Sequence, residues 1–82
     1  MDAIQREQLA IWLKQREIES LQRKPETSSE DLRRWAYFDG KAQAFSEVWE
    51  RIVADGKPLH PTQYNVLNDE YSRKAAEGAT HE

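Results

Sequence analysis

The sequence predicts an all-α fold: an antiparallel helical hairpin with coiled-coil-like packing and a short third helix. Two observations predict it. Trp35, Phe38, Ala42, Phe45, Trp49 and Ile52 follow one another at alternating spacings of three and four, which puts them on one stripe of a helix with a 3.6-residue period. The breakers then divide the chain, because Pro25, Gly56, Pro58 and Pro61 fall between stretches rich in strong helix formers.

The first helix is expected over 2–23, a stretch without Gly or Pro. It stops at Lys24-Pro25, since the residue before a proline is pushed out of helical geometry. Pro25 to Ser28 reads as a loop, with Ser28 or Ser29 capping a second helix over 29–55. Gly56 reads as its C-terminal glycine, and Pro58 prevents continuation. Within it, Gly40 lies near Ala36 and Ala44, a small-residue strip that either admits another helix or marks a tolerated kink. The third helix, 62–77, begins around His60-Pro61-Thr62, where a proline in the first turn is harmless. It carries Tyr64, Leu67, Tyr71 and Ala75 on one stripe, and Gly78 closes it. The whole chain of 82 residues makes one helical domain.

The first helix presents two apolar faces. Ile4, Ile11 and Ile18 recur every seven residues beside Gln8, Gln15 and Gln22, the pattern of a coiled-coil seam bordered by glutamine. Leu9, Trp12 and Leu13 lie well away from that seam, so one partner helix cannot cover both. The third helix, a second copy of the chain or a foreign target is expected to cover this second face. Tyr37 and Val48 stand off the ladder of the second helix in the same way. Leu9, Trp12, Leu13, Tyr37 and Val48 are therefore the candidate protein interface, and a two-fold homodimer is expected. Trp35 and Trp49 are expected in the core, with Gln8 or Gln15 accepting from a buried indole N–H, whereas Trp12 is expected at an interface.

Composition narrows the function. The net charge is −3, with acidic and basic residues interspersed, which gives nucleic-acid binding no support. No apolar run reaches the roughly eighteen residues of a membrane span, and the first residues lack the apolar core of a secretory signal, so a cytoplasmic location is the default expectation. There is no cysteine, hence neither disulfide nor thiolate chemistry. His60 and His81 have no spacing suited to zinc, Asp69 and Glu70 diverge around their helix, and the three glycines are too scattered for a phosphate loop. No enzymatic activity, metal or cofactor is expected. The chief alternative is a helix-turn-helix DNA-binding regulator, with Gln63, Asn65, Asn68 and Arg73 reading base edges, although Asp69 and Glu70 on the same helix would repel phosphate.

The stretch LRRWAYFDGKAQAFSEVWERI, residues 32–52, resembles small all-helical accessory proteins encoded by tailed bacteriophages of Gram-negative hosts: an aromatic, a glycine, an alanine-rich turn and an amphipathic helix end. That resemblance implies a protein that binds and inhibits or redirects a host protein, and it transfers no functional residue. The expected function is a non-enzymatic protein-protein interaction module acting on a protein partner.

Overall fold

The computed structural model describes residues 2–25 and 31–79 and is all-α. Its helices are α1 (Ala3–Arg23), α2 (Leu32–Val53) and α3 (Pro61–Ala79), with no strand among the described residues. α1 and α2 form the hairpin, and α3 packs on α1. None of the three is long and apolar enough to cross a membrane.

Each boundary has a local cause. At the start of α1, the Asp2 carboxylate accepts from the Gln5 N–H at 2.7 Å while the Gln5 side chain accepts from the Asp2 N–H at 3.3 Å, a reciprocal cap of two orphan donors. At its end Lys24 turns extended, φ −69° and ψ 132°, as its neighbour Pro25 requires. α2 begins three residues later than the expected 29, because Asp31 is the cap, accepting from the Arg34 N–H at 3.1 Å. Ser28 and Ser29 lie outside the described residues. The far end of α2 closes with the Gly56 N–H on the Arg51 carbonyl (3.1 Å) and the Asp55 N–H on the Ile52 carbonyl (3.3 Å). In this Schellman arrangement the first left-handed residue is Asp55, φ 53°, and Gly56, φ 77°, follows it. α3 is capped by His60, whose Nδ1 accepts from the Thr62 N–H at 3.2 Å while Gln63 Oε1 accepts from the His60 N–H at 3.0 Å. Gly78 lies inside α3 and does not end it.

The aromatic ladder of α2 faces inward as expected, with Ala42 and Trp49 buried and Trp35, Phe38, Phe45 and Ile52 half-buried. So does the α3 stripe, where Tyr71 and Ala75 are buried and Tyr64 and Leu67 half-buried. α1 departs from expectation. Its buried line runs through Ala10, Leu13, Lys14 and Ser20, and the isoleucines are displaced to a flank. Ile4 is exposed, Ile11 is half-buried beside the core, and Ile18 borders a groove shared with Ala75 and Ala76 of α3. The coiled-coil seam is thus corrected: a heptad of isoleucine loses to a face that α2 and α3 contact together.

At the junction of the three helices lies Trp49, fully buried. The Lys14 ammonium, also fully buried, sits 3.8 Å from the centre of its ring. Tyr64 and Tyr71 of α3 approach the same indole edge-on, both with centroids 5.8 Å away. Lys14 Nζ donates to Glu17 Oε1 at 2.9 Å and to Asn68 Oδ1 at 2.7 Å, so the buried charge has a carboxylate, an amide oxygen and a π face around it. Trp49 Nε1 is buried with no acceptor among the described residues. The expected glutamine does not reach it, because Gln15 donates instead to the Ala75 carbonyl at 3.4 Å and Gln8 is exposed.

Among the described residues, no other element approaches Gly40 of the small-residue strip on α2 closely. Gly40 is exposed, and a Cβ there would meet nothing within 4 Å. Gly40→Ala is therefore expected to stabilise the protein by about 1 kcal/mol, read as a higher denaturation midpoint with an unchanged slope. Lys14→Ala is expected to cost about 3 kcal/mol, since it leaves the Glu17 carboxylate and Asn68 without their partner. Lys14→Met, which keeps the stem over Trp49, should cost less in the same denaturation series.

Candidate functional site

Around α1 the side chains at 12 and 14 point about 160° apart. Lys14 reaches Asn68 on α3, so Trp12 faces away from that helix, on the opposite side of the hairpin. There it is 48% exposed and packs edge-on against Phe45 of α2, with centroids 6.0 Å apart and planes at 85°. Tyr37 and Val48, 59% and 46% exposed, stand eleven residues apart on α2, three turns or about 16 Å along one edge of that helix. Tyr37 rests edge-on against Phe38 at 5.0 Å. The outer face of the hairpin is therefore an aromatic and aliphatic strip.

Of the five residues expected at an interface, the structure brings Trp12, Tyr37 and Val48 onto this exposed face. Leu9 is half-buried beneath it, packed against the core cluster. Leu13 is corrected: at 5% exposure it belongs to the core with Ala10, Trp49 and Tyr71 and presents no surface. The reason is its position on the line that α2 and α3 cover together, one residue and about 100° beyond Trp12. The third helix thus hides part of the second apolar face and leaves the rest.

Cations lie over the rings of this face. The Arg16 guanidinium lies 5.8 Å from the Trp12 ring, Lys41 Nζ 5.2 Å from Tyr37, and the Arg34 guanidinium 5.9 Å from Phe38. Glu19 bridges Arg16 (2.9 Å) and Arg23 (3.0 Å). A chain whose charges alternate along the sequence thus gathers positive charge on one face. The sequence reading missed these residues, yet each pair is spaced by four, 12 with 16, 34 with 38 and 37 with 41, so the juxtaposition is written in helical periodicity.

A second polar cluster fastens α3 to α1. Glu7 accepts from the Tyr71 hydroxyl at 2.5 Å and from Lys74 Nζ at 2.6 Å. The Lys74 hydrogen bond, then the Tyr71 hydroxyl, holds the Glu7 carboxyl below its ordinary value. The same bond to Glu7 raises Lys74. Burial, and then the bond to Glu7, pushes Tyr71 from an ordinary 10.0 up to about 12. These groups neutralise one another within a structural contact.

Three of the four residues that a DNA-reading helix would use make contacts within the protein, and Asn65 is exposed. Asn68 holds Lys14, Gln63 caps α3, and Arg73 pairs with Glu77 at 3.0 Å. Among the described residues no group of three or more potential metal ligands converges. No family model, curated protein or solved structure matches the chain.

The Glu7 cluster predicts the pH limits of folding. Glu7, lowered in the folded state, contributes stability above its ordinary 4.5 that is lost as the pH falls through its depressed value. Tyr71, raised, contributes stability that is full below pH 10 and is lost between 10 and about 12. Titration followed by helicity and tyrosinate absorbance should show one tyrosine ionising together with unfolding at the alkaline limit, and Tyr71→Phe should remove that step.

Proposed function

We propose that the protein is a non-enzymatic protein-binding module, and that the strip of Trp12, Tyr37 and Val48 is the surface that engages its partner. The observation that carries this reading is the division of the aromatic residues. Trp49, Tyr64 and Tyr71 close the core, while Trp12 and Tyr37 stay about half exposed on the hairpin's outer side. Aromatic side chains held rigidly at a surface, with arginine beside them, are the anchors of protein interfaces. The polar groups best placed for chemistry make structural contacts, Lys14 with Glu17 within α1 and with Asn68 on α3, and Glu7 with Tyr71 and Lys74 on α3.

A foreign protein fits this face better than a second copy does. In a two-fold dimer the patch meets the same patch of the other chain, so a surface carrying Arg34 and Lys41 would face another of the same charge. The likeness of residues 32–52 to phage accessory proteins makes a host protein the natural class of target, with inhibition or redirection as the outcome of binding.

Site-resolved photo-crosslinking in a bacterial host tests the reading. A photoreactive residue at 12, 37 or 48 should give the same protein adduct. One at Val66, exposed on α3, should give none. Identical adducts at all four positions, or none at the strip, would remove this face as the binding surface.

A further inference from the structure

We infer that the partner segment seated on this face is an acidic amphipathic helix of about three turns, an inference that rests on the protein-binding reading of the same strip. Three features of the face select that occupant. The first is length: the apolar contacts from Tyr37 to Val48 span about 16 Å, matching three turns of a helix that offers apolar residues at i, i+3, i+4 and i+7. The second is charge, because Arg16, Arg34 and Lys41 stand over the rings they accompany, with Glu19 shared between Arg16 and Arg23. The strip is net positive on a chain whose net charge is −3. Carboxylates flanking an apolar stripe complement such a strip, and lysines in their place would be repelled. The third is the state of the rings. Trp12 and Tyr37 each have a cation near the ring and an edge-on aromatic neighbour, and each keeps about half of its surface exposed, the arrangement of an oriented anchor for apolar side chains. Val48 adds an aliphatic contact that suits leucine or isoleucine better than a sugar-phosphate chain.

The cations then have two roles. In the free protein they lie beside the rings through cation–π contacts, and in the complex they pair with carboxylates at the rim, where charge sets specificity and association rate. Raising the ionic strength should therefore slow association more than it speeds dissociation.

The test is a selection from a displayed library of helical peptides, randomised at every surface position, against the full chain. A Trp12→Ser, Val48→Lys double variant serves as counter-target, and helicity is checked for each variant. Enriched peptides are expected to carry an Asp or Glu excess beside a leucine, isoleucine or phenylalanine stripe. Lys41→Glu and Arg34→Glu should each weaken the best of them roughly tenfold, whereas Val66→Lys on α3 should not. Neutral or basic peptides that discriminate against the counter-target would overturn the acidic partner and leave the protein-binding face standing. Absence of any peptide that distinguishes the chain from the counter-target would count against the face itself. Tighter binding of a fluorescent oligo(dT) at the strip, lost with Trp12→Ser, would replace the partner by single-stranded nucleic acid. Concentration-dependent dimers in sedimentation, abolished by the same change, would replace it by a second copy.

Discussion

The fold depends on an ammonium group placed where an aliphatic side chain would be expected. Lys14 lies on the buried line of α1, against the Trp49 ring of α2 and within 2.7 Å of Asn68 on α3, so one side chain touches all three helices. Removing such a charge from water costs several kcal/mol, offset only when its surroundings satisfy it. Here Glu17 supplies the counter-charge, Asn68 a hydrogen-bond acceptor and Trp49 the π face. The requirement is directional. Apolar packing between α1 and α3 tolerates sliding, whereas the bond to Asn68 is made at a single register.

A second fastening repeats the principle nearer the start of α1. Glu7 binds Tyr71 and Lys74 two turns along α1 from Lys14, and the Tyr71 ring also packs on Trp49. The two polar contacts bracket α3 at Asn68 and at residues 71–74, and the apolar cluster of Ala10, Leu13, Trp49 and Tyr71 lies between them. α3, which packs on α1 more than on α2, is thereby held by direction as well as by burial.

Most of the fold was legible in the sequence because its signals are local. The α2 ladder, the α3 stripe, the stop at Lys24-Pro25 and the turn at Gly56 each follow from spacing or from one residue's stereochemistry. The Asp2 and Gln5 pair carried its capping signal openly, as did His60 with Gln63. The facing of α1 was not legible. Hydropathy alone ranks Ile4 as core and Lys14 as surface, and the structure reverses both, because Lys14 has partners from α2 and α3 that lie far away in the chain. Periodicity reports which residues share a face. It does not report which face two other helices will cover.

The same limit explains why the candidate site was half visible. Trp12, Tyr37 and Val48 stood out as apolar residues left over from the ladder, and Leu13 stood with them until α2 and α3 together claimed its side of the helix. The cations escaped notice because a charge on a helix reads as solvation unless its neighbour four residues away is considered with it. Arg16, Arg34 and Lys41 hold the exposed rings in place without burying them. On the proposed reading, the contacts that hold α3 and the surface that would meet a partner lie on opposite sides of α1. Lys14 and Glu7 secure the side that α3 occupies, and on the other side Trp12 packs on Phe45 across the hairpin while about half of its surface stays exposed. On that reading, ring contacts that already orient Trp12 and Tyr37 reduce the conformational freedom to be lost on binding.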